Sequence, residues 1–221
     1  TGTETWQLHM AEYSTGTGEL KDITLEDGTH IVLNMRSAID VRISGTHRLV
    51  TLLHGEMMVT TGHQAGEQRP FTVATAHGNI TPLGTQFNVR LTDTNTQVTV
   101  LEGAVKVTSQ DGNQAIVHAA EHTSFTGSVI EPISTAPMQV SAWRKGLLFA
   151  NDMRLADLAE ELQRYRPGFI RCDKAIAELK ISGVFPLQDT TEALDAIPNS
   201  LPVNIVYRTR YWVRIAPEHV G

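Results

Sequence analysis

The chain has 221 residues, of which 41% are apolar and 19% charged, so it can bury a core and wholesale disorder is excluded. No apolar run approaches the ~18 residues of a membrane span. The formal net charge of −6 argues against a nucleic-acid or anionic-membrane binder, since both require a basic surface. We therefore expect no nucleic-acid partner.

The charge is unevenly distributed. Residues 1–142 carry seven basic against fourteen acidic side chains, and residues 143–221 carry eleven against ten. This shift indicates a domain boundary near residue 142. Cys172 is the only cysteine, which excludes an intrachain disulfide and a cysteine-based zinc cluster.

Residues 1–130 form the first predicted domain and are all-β. Short alternating runs rich in Val, Ile, Leu and Thr are separated by glycine-containing turns, a pattern typical of a sandwich, barrel or solenoid. We expect no helix longer than a turn or two here. A helix of more than ten residues would contradict this interpretation.

A short internal repeat indicates which kind of β-fold is expected. Residues 53–59 and 101–107 share an L-x-G-x-x-x-V frame, with Gly55 and Gly103 at the same place. Glycine tolerates positive φ, so each copy can form a tight corner. Repeated corners favour a twisted, solenoid-like stack of short strands. The alternative is that a turn glycine followed by valine is simply common in β-proteins.

Residues 131–142 carry two prolines and no positive charge, and we interpret them as a linker. Residues 143–221 then predict a small α+β domain with the order β-α-β followed by β-α-β-β. Asp152 is the expected cap of its first helix, and Asp189 with Glu192 forms a capping-box pattern for the second. Residues 203–207 and 211–215 alternate as a terminal hairpin.

The sequence contains no recognisable catalytic or metal-binding constellation. The closest to ligand spacing is His118-Ala-Ala-Glu-His122, which lacks the glutamate after the first histidine that a helical zinc-protease motif needs. No G-x-S-x-G motif or phosphate-cradling glycine loop is present. We therefore predict a non-enzymatic interaction protein with no catalytic residue, metal or cofactor. A β-domain that binds a small ligand or a metal is the alternative.

Nine segments, collinear over nearly the whole chain, resemble the FecR family. They are LEDGTHIVLNMRSAIDV (25–41), RLVTLLHGEMMV (48–59), RPFTVAT (69–75), LGTQFNVR (83–90), VLEGAVKV (100–107), WRKGLLFANDMRL (143–155), ELQRY (161–165), ISGVF (181–185) and YWV (211–213). One departure is the turn Ala119-Ala120-Glu121, where the family usually carries a glycine before the acidic or amide residue.

The resemblance implies a specific function. FecR-like proteins are single-span inner-membrane regulators, and this chain is similar to the periplasmic part, without the membrane helix or the cytoplasmic segment that contacts an extracytoplasmic-function sigma factor. The expected partner is the N-terminal signalling domain of an outer-membrane, TonB-dependent siderophore transporter, ferric citrate being one candidate siderophore. The relay would control transcription of iron-uptake genes. The family's second domain is similar to the secretin/TonB N-terminal (STN) domain.

Two surfaces of the second domain are candidates for docking that partner. The first is the helix stripe of Leu155, Leu158, Leu162 and Tyr165, which could lie in a groove or could instead cover the domain's own sheet. The second is the terminal hairpin, which could accept an added strand or could pack its alternate side chains onto the helices. Its candidate residues are Val203, Ile205, Tyr207, Tyr211, Trp212 and Val213.

Overall fold

The computed structural model describes residues 11–62, 69–136 and 139–218. Parts of the predicted first domain, linker and second domain (residues 1–10, 63–68, 137–138 and 219–221) lie outside the described residues. The chain divides into two compact units, Thr1–Ser141 and Ala142–Gly221. Each unit is described by itself below.

The described residues of the first unit form strands and no helix, as predicted. The strands are β1 (Tyr13–Ser14), β2 (Lys21–Thr24), β3 (His30–Leu33), β4 (Ala38–Ile43), β5 (Arg48–Thr60), β6 (Phe71–Thr75), β7 (Gly78–Pro82), β8 (Gln86–Leu91), β9 (Thr96–Glu102), β10 (Ala104–Ser109), β11 (Gln114–His118), β12 (Glu121–Phe125) and β13 (Ser134–Thr135).

The long strand β5 belongs to two sheets. Its first half pairs with β4 and β6, and this first sheet continues through β7, β10 and β11. Its second half pairs with β3 and β8, and this second sheet continues through β9, β12 and β13. Buried apolar side chains from both sheets form one core. The curled sheet therefore depends on β5 to connect its two halves.

The two glycines of the repeated frame are the corners between these sheets. Gly55 lies inside β5 with φ +86°, and Gly103 separates β9 from β10 with φ +77°. The predicted corners are therefore present. The finer description as a solenoid-like stack is not confirmed, because among the described strands of this unit only β5 and β6 pair in parallel and all other pairs are antiparallel.

Several FecR-like signature residues form a buried polar network around β5. Each carboxylate oxygen of Glu56 accepts a hydrogen bond of 2.9 Å, one from Asn34 Nδ2 and one from Asn88 Nδ2. Ser37 Oγ accepts from the Glu56 N–H at 2.9 Å and donates to the Glu56 carbonyl at 3.1 Å. These four residues are 5% exposed or less. They fasten β3, β4 and β8 to the strand that joins the sheets.

A second signature residue, Asp27, forms a buried ion pair with Arg48. Asp27 also accepts from the N–H and the hydroxyl of Thr29, both at 2.9 Å. Burial alone would raise the pKa of Asp27, but the hydrogen bonds from Thr29 and the Arg48 guanidinium outweigh it, so the pKa is lowered. The carboxylate is thus held ionised within the turn that precedes β3.

The turn between β11 and β12 keeps the backbone conformation of a glycine. Ala120 has φ +64°, a left-handed conformation that costs a residue with a Cβ about 1 kcal/mol or more. At the position where this sequence departs from the family pattern, alanine therefore adopts a conformation that glycine would favour.

The described residues of the second unit form two α-helices, two small sheets and three short 3-10 helices, the last at Ala142–Lys145, Lys174–Ile176 and Ile197–Asn199. The elements are β14 (Leu147–Arg154), α1 (Leu155–Arg164), β15 (Phe169–Cys172), β16 (Lys180–Pro186), α2 (Thr190–Ala196), β17 (Val203–Thr209) and β18 (Trp212–Pro217). One sheet pairs β14 with β16, and the other has the order β15-β18-β17. The order of elements agrees with the predicted α+β arrangement. The STN-like description is not confirmed.

One predicted cap is correct and one is wrong. Asp189 Oδ1 accepts from the N–H groups of Thr191 and Glu192, both at 3.0 Å, at the start of α2. Asp152 does not cap α1, which begins at Leu155 after Arg154. Asp152 instead lies in β14 with φ +49°, where the pairing with β16 is irregular. The strand extends further than the helical pattern suggested.

We predict that Gly55→Ala destabilises the protein by about 3 kcal/mol, because the left-handed φ penalises a Cβ and that Cβ would lie 2.7 Å from the carbonyl oxygen of Arg36. Gly112→Ala is the control, since Gly112 has φ +88° and nothing within 4 Å of its Cβ position, so it should lose only about 1 kcal/mol. Chemical denaturation measures both. Equal losses would show that the close approach at β5 has no consequence.

We predict that Asp27→Asn lowers the free energy of unfolding by about 3 kcal/mol at neutral pH, because Arg48 is left buried without its counter-ion. Because folding lowers the pKa of Asp27, its carboxylate stabilises the folded protein above pH 3.8, the ordinary pKa value. The difference in free energy of unfolding between parent and variant should therefore shrink as the pH falls below that value. Asp93→Asn is the control, since Asp93 is exposed. A difference that is independent of pH would contradict this account.

Candidate partner-binding surface

The leucine stripe of α1 lies inside its own unit. Leu155, Leu158 and Leu162 are fully buried and Tyr165 is 6% exposed. The helix contacts β14 and β15, and the N–H of Leu155 donates to the carbonyl of Leu179 at 2.8 Å. Of the two interpretations of this stripe, the burial favours packing on the domain's own sheets, and these side chains present no surface to a partner.

The terminal hairpin occupies two different positions in its sheet. β18 is the central strand, parallel to β15 and antiparallel to β17. Val213 is fully buried on it, so Val213 belongs to the core and β18 offers no edge. β17 is an edge strand, on which Val203 is 2% exposed, Ile205 half-buried and Tyr207 41% exposed.

The backbone of β17 has a definite orientation. The backbone N–H of Glu218 donates to the carbonyl of Pro202 at 3.1 Å, so the backbone of Pro202 faces the β18 side. Along an antiparallel strand, every second residue directs its backbone groups to the same neighbour. Asn204 and Val206 therefore face β18, while Ile205 and Tyr207 face away from it. Ile215, which lies opposite Ile205, faces β15 in the same way, because its carbonyl accepts from the backbone N–H of Asp173 at 3.0 Å. Ile205 and Tyr207 thus direct their backbone groups to the sheet edge.

The opposite edge of this sheet is covered. The side-chain oxygen Oε1 of Gln163, on α1, accepts from the N–H of Ile170 on β15 at 2.9 Å. The N–H of the preceding residue, Phe169, donates to the carbonyl of Tyr211 on the β18 side at 2.7 Å. Because backbone groups alternate along a strand, the N–H of Ile170 points away from β18, and Gln163 occupies it. Of the two edges, β17 is therefore the one suited to accept an added strand.

Aromatic residues flank the open edge. The Tyr207 hydroxyl donates to Asp195 Oδ1 of α2 at 2.6 Å, and burial together with the Asp195 carboxylate raises the pKa of Tyr207, so it remains a neutral donor. Tyr211 and Trp212 are both 46% exposed at the hairpin turn. Arg166 holds that turn by donating from Nη2 to the Arg210 carbonyl at 2.8 Å.

Sequence reasoning missed part of the exposed surface. Phe169 is 70% exposed and Val206 is 41% exposed, and both share a sheet with several arginines. The signal was available in the period-two alternation of 169–172 and 203–207, which places these residues opposite the buried ones.

Glu121 and His122, which were considered for metal binding, have other partners. His122 Nδ1 lies 2.8 Å from the hydroxyl of Thr99, and burial lowers the pKa of His122. The backbone N–H of His118 donates to Glu121 Oε2 at 2.7 Å. Within residues 11–62, 69–136 and 139–218, no three His, Cys, Asp or Glu side chains are grouped so as to hold a metal ion. Over the same residues, no helix is long and apolar enough to cross a membrane.

The comparison with known families matches the signature segments. A model of the family described as FecR protein matches residues 11–106, which contain the β5 corner and both buried polar clusters. The chain therefore resembles the FecR protein family over these residues. No curated protein matches it.

Solved structures share the fold of this FecR-like chain. Two crystal structures of a candidate anti-sigma factor from Parabacteroides distasonis, at 2.50 and 1.65 Å resolution, match with TM-scores of 0.74 and 0.75. Both are 24% identical, and the matches cover 93% of this chain and 97% and 98% of those chains. At this identity the similarity concerns the fold.

We predict that Leu158→Ala lowers the free energy of unfolding by about 2–5 kcal/mol, as expected for a fully buried leucine. Leu158→Asp should prevent folding of the second unit, because it buries an unpaired charge. Val184→Ala is the control, since Val184 is 53% exposed. Circular dichroism and chemical denaturation measure the three variants. A folded Leu158→Asp protein that fails to bind its partner would instead identify α1 as the docking face.

Proposed function

We propose that this FecR-like chain is the periplasmic, signal-receiving part of a regulator of an extracytoplasmic-function sigma factor, and that it acts by binding rather than by catalysis. The observation that carries the proposal is the family match over residues 11–106. The fold shared with the candidate anti-sigma factor supports the regulatory role. The sigma factor would be reached through a membrane helix and a cytoplasmic segment outside this sequence.

The proposed partner is the N-terminal signalling domain of a TonB-dependent siderophore transporter. Binding would report transporter occupancy to the sigma factor and thereby control iron-uptake genes. Within this chain, the docking element we propose is β17. Its outward backbone groups at Ile205 and Tyr207 can pair with a strand of the partner, and the half-exposed Tyr207, Tyr211 and Trp212 can anchor it.

The two units have different proposed roles, because one buries its signature residues and the other exposes aromatic residues. The first unit directs its family signature residues into buried hydrogen bonds and an ion pair, so their role is to hold the curled sheet. The second unit carries the open edge and the exposed aromatic residues. We therefore assign recognition to the second unit.

The decisive experiment measures binding between purified chain and purified signalling domains of TonB-dependent transporters. We expect one cognate domain to bind the parent chain, and Ile205→Pro to weaken that binding at least about tenfold, because proline removes a backbone donor that points to the open edge. Asn204→Thr is the matched control, since it changes an exposed residue of β17, leaves the charge of the sheet unchanged and keeps every backbone N–H.

Folding must be verified separately in these variants. Near-ultraviolet circular dichroism shows whether Ile205→Pro keeps the native packing around Val203 and Ile215. A folded Ile205→Pro chain that binds as tightly as the parent would contradict docking on β17. If no transporter signalling domain binds the parent chain, the proposed partner is wrong.

A further inference from the structure

The face of the three-stranded sheet that points away from the core has an unusual composition. Strand alternation buries Ile170, Val213 and Ile215 on one side and leaves the next residues of each strand on the other. The register places Phe169 beside Trp212, and Arg214 between Arg171 and Val206. We call these five residues together with Arg208 the outer face.

The outer face is both apolar and exposed. Phe169 is 70%, Trp212 46% and Val206 41% exposed. A sheet face that only meets water normally carries polar side chains, so that alternation is hydrophobic inside and polar outside. Three large apolar side chains together on such a face mark an interaction surface.

The outer face is also positively charged. Arg171, Arg208 and Arg214 lie on it, and the strands β15, β17 and β18 contribute no acidic residue to it. The Arg208 guanidinium stacks over the Trp212 ring at 5.6 Å from its centroid. Arg214 donates from Nη2 to Asp173 Oδ2 at 2.6 Å, and this aspartate follows β15 directly. The arrangement leaves more cationic than anionic groups around an apolar centre.

The two neighbouring arginines give the surface a preference for anions. Arg171 and Arg214 are paired in the β15–β18 register, and like charges at such positions destabilise a sheet. The carboxylate of Asp173 engages Arg214. A second carboxylate, supplied by a partner beside Arg171, would remove this repulsion and gain a charge-assisted hydrogen bond.

We propose that the outer face binds a protein segment in which carboxylate side chains alternate with apolar ones. The apolar side chains would cover Phe169, Val206 and Trp212, and the carboxylates would meet Arg171 and Arg208. This inference rests on the proposed function in taking the partner to be the transporter's signalling domain. It adds a chemical criterion for the cognate domain, namely an acidic, apolar surface strand or loop.

A single-stranded nucleic acid is the other class of ligand that aromatic and arginine side chains on a sheet can bind. The charge of the whole chain disfavours it. The phosphates of a nucleic-acid strand would extend beyond the outer face. Residues 1–142 carry twice as many acidic as basic side chains, and the net charge of the chain is −6. A local cluster of carboxylates gains the arginine contacts without extending over the surface.

The first test uses the full chain with the double substitution Arg171→Glu and Arg208→Glu. Binding to the signalling domain should weaken at least about tenfold, and binding by the parent should weaken as salt concentration rises. The matched control is Arg144→Glu with Lys145→Glu, which reverses two exposed charges of the same unit outside the outer face. It should change the affinity by less than about twofold.

The second test is independent of the transporter. The probe is a short synthetic peptide that alternates glutamate with valine, compared with the same peptide carrying lysine for glutamate. Nuclear magnetic resonance of the full chain should show the glutamate peptide perturbing Phe169, Arg171 and Trp212. The double variant should lose the glutamate peptide and gain affinity for the lysine peptide.

The outcomes separate this inference from the proposed function. A signalling domain that binds the parent and the double variant equally leaves the function intact and overturns the inference. A glutamate peptide that binds the double variant as well as the parent, or perturbs other residues, also overturns it. Retention of the chain by oligo(dT) at moderate salt, lost in the double variant, would assign the outer face to nucleic acid instead. Peptide binding at the outer face without a transporter partner supports the inference and contradicts the function.

Discussion

The first unit depends on one strand that serves two sheets. β5 can do so because its backbone turns at Gly55 into a left-handed conformation, close to the chain at Arg36 and Ser37. The residue that follows, Glu56, then places its carboxylate between Asn34 and Asn88 from the strands on either side. A carboxylate is costly to bury without partners, so the corner and the hydrogen bonds that satisfy Glu56 support each other. In this chain, the signature residues Asn34, Glu56 and Asn88 therefore have a structural role.

The second unit is organised around its central strand. β18 receives hydrogen bonds from both neighbours, and Val213 and Ile215 carry its packing into the core. The helix α1 covers this core with its leucines and also reaches the edge of β15 through Gln163. The β17 edge and the outer face remain exposed in this sheet, and these are the surfaces where we propose that a partner binds.

Much of this architecture could be predicted from the sequence, and the exceptions have physical reasons. Period-two alternation and turn glycines predicted an all-β first unit, and the L-x-G frame located both corners. The hairpin was visible in its alternation, but the pattern does not reveal which strand lies in the middle, since that depends on β15, forty residues earlier. Asp152 was a plausible cap from its local sequence alone, yet the pairing of β14 with β16 extends the strand to Arg154. Phe169 was overlooked because an exposed aromatic residue in a short strand resembles a core position until the register is known.

The difference between the two edges of the three-stranded sheet limits the stoichiometry of assembly. A sheet with two open edges can add a strand at each end, and repeated head-to-tail addition then produces a growing fibre. Here Gln163 occupies an outward N–H of β15, which disfavours strand addition at that edge and leaves β17 as the edge where one strand could be added. Under the proposed function, each chain would then pair with a single signalling domain at this sheet and would not link several partners into a fibre.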